Sequence, residues 1–326
     1  MGRNKKRVLS GIQPSGHLHL GNYFGMMSKM IEYQEEDDLF CFIADFHALT
    51  ANQNSKILSS NTYDAVCDFI ALGLKPEKTT FWVQSDVSEV TELAWILSSF
   101  TTVGLMDRST TYKDKIAKGI KPNMGLYSYP ILMAADILLF NSNLVPVGKD
   151  QKQHIEMARD IANKFNANYG DILTLPEPDI VKETQLIPGI DGQKMSKSYN
   201  NTIPIFGEDE VIRKKVMSII TDNARVNEPK DKNTPLFYLY SLFADSNEKQ
   251  LLSEKYDSSG LRYGDLKLEL YEKIMDYFAP FREERALLHS KPDDVKDILK
   301  LGAKKAKLVA FEMLDKIRSA IGLRLF

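Results

Sequence analysis

From Arg7 to about Gly170, short apolar runs rich in β-formers alternate with stretches of helical period, and few folds satisfy that alternation. Parallel strands need long crossovers, and amphipathic helices supply them. The pattern therefore reads as α/β: a Rossmann-like, mostly parallel sheet flanked by helices. Strands are expected at Val8 to Ile12, Leu39 to Ala44, Thr80 to Val83 and Leu144 to Val147. Leu20, Phe24, Met27 and Ile31 recur at helical spacing after the first strand. Ile155, Ala158, Ile161, Ala162 and Phe165 do the same after the last, in a helix starting near Asp150. Pro130 suits the first position of a helix, and its continuation from Ile131 to Phe140 is apolar on every face, so that helix should be largely buried.

The stretch from Asp171 to about Gly207 holds several prolines and glycines with little helical period, and reads as a linker and mobile loop. Glu208 to Ser290 is rich in helix formers and shows no convincing strand, which predicts a smaller all-helical domain. Ala306, Val309, Met313, Ile317 and Ala320 share one face of a terminal helix. The expected division is 1–206 for the sheet domain with its loop, 207–295 for the helical domain, and 296–326 for a helix packing back on the first.

Composition narrows what such a chain can do. Its 326 residues are 43% hydrophobic and 26% charged, enough for one large and one smaller core. A net charge of −2 means that a nucleic-acid partner would have to be held by a local basic surface. Lys304, Lys305, Lys307, Lys316 and Arg318 form such a cluster, either meeting phosphates or making an ordinary solvated face. Cys41 and Cys67 lie in apolar stretches and support neither a disulfide framework nor a metal cluster, so a reducing compartment is expected. Met1 to Arg7 is basic but is not followed by a secretory apolar region, and Ile131 to Phe140 is too short to cross a bilayer. Neither export nor a membrane span is expected.

Two segments carry chemistry. Gln13-Pro14-Ser15-Gly16-His17-Leu18-His19-Leu20-Gly21-Asn22 stands between a predicted strand and the helix after it. Free backbone N–H groups and the helix dipole favour an anion there. Gly16 and Gly21 permit close backbone approach, and His19 and Asn22 offer side-chain donors, although both residue types also serve simply to cap helices. Lys194-Met195-Ser196-Lys197-Ser198 follows Gly189 and Gly192 in the loop. Two ammonium groups placed there can close over a triphosphate and neutralise charge as its α-phosphate is attacked. Asp136 poses a separate problem, because a buried unpaired carboxylate is costly and calls for a donor. An indole N–H is one such donor; an internal helix cap or a salt bridge would also meet the need.

Taken together, His19-Leu20-Gly21-Asn22 and Lys194-Met195-Ser196-Lys197-Ser198 resemble the HIGH-type and KMSKS-type signatures of class I aminoacyl-tRNA synthetases. Ser10 to Asn22, Ala44 to Thr50, Met133 to Leu138 and Val145 to His154 are similar to tryptophanyl-tRNA synthetases of bacterial type, almost from end to end of the chain. The resemblance implies an enzyme that uses ATP, with Mg2+ carried on it, to form tryptophanyl-adenylate and then charges tRNA(Trp). It implies ATP contacts from Gln13, Pro14, Ser15, Gly21, Asn22, Gly148, Lys149, Asp150, Leu186, Met195, Ser196 and Ser198, with His19, Lys115, Lys194 and Lys197 as catalytic groups. For L-tryptophan it implies Asp136, with Met133, Tyr129, Val145, Val147 and Gln151 around it. His47 is either a pocket residue or a hydrogen-bonded core histidine. No dedicated metal site is implied; a cytoplasmic homodimer is. The rival readings are a tyrosyl-tRNA synthetase, whose pocket must satisfy a phenol, and a non-catalytic tRNA-binding paralogue. Three departures from the family pattern, Leu9, Val90 and the run Ser109-Thr110-Thr111-Tyr112-Lys113, bear on fine geometry.

Overall fold

The computed structural model describes residues 5–117, 119, 121–180 and 187–323, without the side chains of 110, 111, 114, 115 and 150. The chain forms two compact units. The first comprises Met1–Gly16, Met30–Lys182 and Lys291–Phe326; the second comprises His17–Lys29 and Glu183–Ser290.

The first unit is built on five strands: β1 (Arg7–Ile12), β2 (Asp38–Ile43), β3 (Thr80–Val83), β4 (Leu144–Val147) and β5 (Glu177–Ile180). Their order is β3-β2-β1-β4-β5 and every pairing is parallel. The expected Rossmann-like sheet is therefore present. Its strand order reverses direction between β1 and β4, and in such sheets the crevice at the carboxyl ends of those two strands is where ligands settle. Gln13 to Gly16 follow β1 and Gly148 follows β4, so both expected nucleotide turns begin at that point.

β5 was not expected. Glu177-Pro178-Asp179-Ile180 combines a proline with two acids, a poor strand by propensity, yet it lies at an edge and pairs only with β4, where a missing N–H costs least. Pro130 is a second correction. The helix starts at Met124, with Asn123 accepting the Leu126 N–H at 2.8 Å, and runs to Leu139 with Pro130 inside it. The proline ring removes one hydrogen bond from the ladder, and the buried apolar run after it holds the helix in place. Ala134 through Phe140 are all buried, as the apolar pattern required.

The terminal helix Pro292–Ile321 packs against β3 and buries Ala306, Met313 and Ile317. The approach is close enough that a Cβ on Gly302 would lie 1.7 Å from the Phe81 carbonyl oxygen. Only glycine allows that crossing. Arg318 clamps the far end, its Nε donating to Glu92 at 2.7 Å.

The second unit is helical, with helices at Asp209–Met217, Pro235–Leu242, Ser246–Asp257 and Tyr263–Ser290. The His17–Lys29 segment belongs to it through aromatic packing. It carries a π-helical turn at Tyr23–Met27. There Phe24 meets Phe243 edge-on at 5.3 Å, and the Tyr23 ring packs on Phe278 at 5.3 Å while its hydroxyl lies 3.1 Å from that of Tyr277. Such turns recur at functional sites.

Candidate active site

The two signature segments meet within the second unit. His19 opens the helix with extended backbone, and its N–H donates to Asn22 Oδ1 at 3.2 Å. The amide oxygen of Asn22 thus caps the turn. Leu20 N–H donates to the Ile203 carbonyl at 3.0 Å and Ile205 N–H to the Leu18 carbonyl at 3.1 Å, so the chain leaving the lysine loop is laced along this turn. The Gly21 N–H then points at the loop itself, donating to Met195 Sδ at 3.2 Å.

Gly21 lets that contact close without displacing its neighbours. A Cβ there would stand 3.0 Å from His19 Nδ1 and 3.1 Å from Met195 Cβ. The loop is divided by burial: Met195 is buried, while Lys194, Lys197 and Ser198 are exposed and Ser196 is half-buried. Met195 anchors the loop, and the two lysines stand on its exposed side. His19 is only 6% exposed, and burial, with Lys197 nearby as a second cause, lowers its pKa to about 4. It is a neutral imidazole at pH 7, suited to donate a hydrogen bond to an anion without adding a charge of its own.

The first unit holds the other cluster. Asp136, on the helix Met124–Leu139, is 3% exposed but is not unpaired. Gln84 Nε2 donates to both carboxylate oxygens, at 2.8 and 2.9 Å, and His47 Nε2 lies 2.8 Å from Oδ2. Of the donors the sequence left open, the internal one is present: an ion-pair contact to His47, with the Gln84 amide beside it. Burial still pushes the carboxyl pKa upward, opposed by the His47 and Gln84 hydrogen bonds. Gln84 is in turn fixed, its Oε1 accepting the Phe46 N–H at 3.1 Å. Asp45 ties the ends of β2 and β3 together by accepting the N–H groups of Phe46 and Ser85, each at 3.0 Å.

His47 therefore joins the polar cluster. Its ring sits edge-on to Tyr129 at 6.4 Å, and the Tyr129 hydroxyl lies 2.7 Å from His154 Nε2. Val145 and Val147 are buried on β4, and Met133 packs against the same core. Gln151 ends the 3-10 turn Lys149–Gln151, with its N–H on the Gly148 carbonyl at 3.0 Å. Gln13 and Ser15 are exposed and Pro14 is buried. The Lys115 and Asp150 side chains, and Leu186 as a whole, lie outside the described residues. Gln84 was missed in the sequence. Its only signal is a polar side chain immediately after a strand, and its meaning depends on the register that sets β3 beside β2.

Comparison with known proteins agrees with this geometry. The family described as tRNA synthetases class I (W and Y) matches residues 2–279. A tryptophan–tRNA ligase of Fusobacterium nucleatum is 50% identical over 319 residues, covering 98% of both chains. The crystal structure of a Campylobacter jejuni tryptophanyl-tRNA synthetase complexed with ADP and tryptophan superposes with a TM-score of 0.94 at 48% identity, over 97% of this chain and 99% of that one. A tyrosyl-tRNA synthetase from Aeropyrum pernix, at 18% identity and a TM-score of 0.64, shares the fold alone. With the signatures joined at Gly21 and Met195, the chain belongs to the class I tRNA synthetases and, within them, to the tryptophan–tRNA ligase family.

Proposed function

We propose that this chain activates L-tryptophan with ATP and transfers it to the 3′ end of tRNA(Trp). A carboxylate oxygen of tryptophan attacks the α-phosphorus, the bond to the β-phosphate oxygen breaks, and pyrophosphate leaves. The ribose hydroxyl at the tRNA terminus then attacks the carbonyl carbon of the adenylate, the acyl–phosphate bond breaks, and AMP leaves with the hydroxyl proton released. No covalent enzyme intermediate is needed; alignment and charge neutralisation supply the catalysis. The observation that carries this reading is the Gly21–Met195 contact, which holds a helix start, a neutral His19 and an exposed lysine pair in one compact unit.

In this reading Lys194 and Lys197 neutralise the triphosphate, joined by Lys115, while His19, Gly21 and Asn22 line it with Gln13, Pro14 and Ser15. Gly148, Lys149 and Asp150 take the ribose, and Leu186, Met195, Ser196 and Ser198 complete the ATP site. Mg2+ travels with ATP, a strongly hydrated ion held through phosphate oxygens. Asp136 accepts the indole N–H. Carboxylate oxygens have lone pairs beyond those that Gln84 and His47 use, and these two donors hold the group at a fixed angle. Tyr129, Met133, Val145, Val147 and Gln151 form the rest of the pocket.

The helical residues 207–295 read the anticodon, 1–206 perform the chemistry, and 296–326 brace the sheet. The working form is a homodimer in the cytoplasm. Trp95, Val103 and Met124, exposed at 77%, 68% and 74%, supply apolar surface for a second copy. No helix among the described residues is long and apolar enough to cross a membrane. The test is ATP–pyrophosphate exchange with each standard amino acid in turn. Tryptophan alone should drive it; exchange driven by tyrosine, or by none, overturns the reading.

A further inference from the structure

The lysine loop is gripped from inside by an uncharged side chain. Asn201 is 1% exposed and its amide is used on both sides. Oδ1 accepts the Ser196 N–H at 2.7 Å, while Nδ2 donates to the Lys194 carbonyl at 3.1 Å and to Asp191 Oδ1 at 2.8 Å. The same Asp191 oxygen accepts the Gln193 N–H at 3.1 Å. Room for the amide comes from Gly189, where a Cβ would lie 2.4 Å from Asn201 Cγ. Direction comes from Asn200, whose left-handed backbone, at a φ of +51°, turns the chain so that the next side chain folds back under the loop.

These bonds fall on the backbone that carries the lysines. One engages the carbonyl of Lys194, and another the amide immediately before Lys197. Met195 fixes the residue between the lysines through its sulfur. Both ammonium groups stay exposed while the main chain beneath them is clamped. We propose that Asn201, oriented by Asp191, is the positioning residue that sets where Lys194 and Lys197 stand as the α-phosphate is attacked. The inference rests on the adenylate-forming reading above. It adds a residue outside both signatures, one that touches no substrate and acts through the loop.

An amide is needed because the site asks for an acceptor and a donor at once. Asn201→Asp keeps the acceptor for Ser196 but turns a second carboxylate toward Asp191 and the Lys194 carbonyl. The exchange Asp191→Asn with Asn201→Asp restores the hydrogen bond between the two side chains, with the amide now at 191, but not the bond to the Lys194 carbonyl, so its rescue is partial. The experiment compares both single variants and the exchange with the wild-type chain. It measures kcat and the KM values for ATP and tryptophan in tryptophan-dependent ATP–pyrophosphate exchange, and amide hydrogen exchange over residues 187–201 of the free protein.

Asn201→Asp should lower kcat about 100-fold, the effect of misplacing a catalytic group by roughly an ångström. The KM for tryptophan should hold, and loop amides should exchange faster. The double exchange should recover at least about tenfold of kcat and slow the loop again, because a donor and an acceptor face each other once more. Wild-type kcat in Asn201→Asp, or a double variant no better than that single one in either readout, overturns the proposal. A comparable rise in the KM for tryptophan would also overturn it, as a general structural loss. Were the wild-type chain to show no exchange with any amino acid, the adenylate reading would fall, and hydrogen exchange would still decide whether this amide clamps the loop.

Discussion

The Asp136 cluster and the lysine loop both handle charge, and they do so in opposite ways. Asp136 is buried, and its oxygens are bound by Gln84 and His47, whose side chains are themselves fixed by strand ends and a neighbouring helix. In the loop the charges are exposed and the groups that grip residues 194–196 directly are neutral, a thioether, an amide and backbone groups, with the Asp191 carboxylate behind the amide. The difference matches the roles proposed for each. A buried charge discriminates, because a ligand lacking the matching group leaves it poorly paired in a low dielectric. An exposed charge on a pinned backbone can meet a hydrated triphosphate without itself having been desolvated beforehand. Selection and charge neutralisation thus rest on separate supports, and variants in one should leave the other intact.

The largest test of that separation is Asp136→Asn. An amide can still accept an indole N–H, but without the charge, and a shift of the His47 tautomer lets the amide N–H₂ bond to the histidine ring. We expect kcat/KM for tryptophan to fall about 100-fold, with the KM for ATP unchanged, in tryptophan-dependent exchange. Unaltered tryptophan use and unaltered discrimination against tyrosine would remove Asp136 from the pocket.

How far each region could be read from the sequence differs in the same sense. The lysine loop is legible because its chemistry is local: the two lysines, the methionine and the two glycines before them fall within residues 189–197. The helix of Ile155, Ala158, Ile161, Ala162 and Phe165 is legible through its period, and all five are buried. The partners of Asp136 are not legible, since Gln84 and His47 come from other strand ends and are brought to it by sheet register. β5 is hidden by composition, its propensity overridden by pairing at an edge. Pro130 misleads because a buried apolar helix tolerates a proline that propensity would place at its start. Sequence order also separates His17–Lys29 from the helices that claim it, and only the aromatic contacts of Tyr23 and Phe24 reveal the grouping.

Gly21→Ala probes the other region with a smaller change. The new methyl would press on His19 at 3.0 Å and on Met195 at 3.1 Å, both inside ordinary van der Waals contact, and neither is a free surface side chain. The loop must give by a few tenths of an ångström. We expect kcat to drop about tenfold, with the KM for tryptophan unchanged. A variant that instead loses tryptophan selectivity would show that the two supports are coupled.

The smallest effect concerns His19 and pH. Its pKa in the folded chain is about 4, lowered first by burial and then by Lys197, against an ordinary value of 6.5. Between those values the unfolded chain holds a proton on this residue that the folded chain does not. The contribution of His19 to stability is therefore complete above pH 6.5 and is lost as pH falls toward 4. The imidazole resonances of the free protein should titrate with a midpoint near 4, and His19→Gln should flatten part of the fall in melting temperature over that window. A midpoint near 6.5 would mean that the imidazole is hydrated and feels neither the burial nor Lys197, and the stability window assigned to it would vanish.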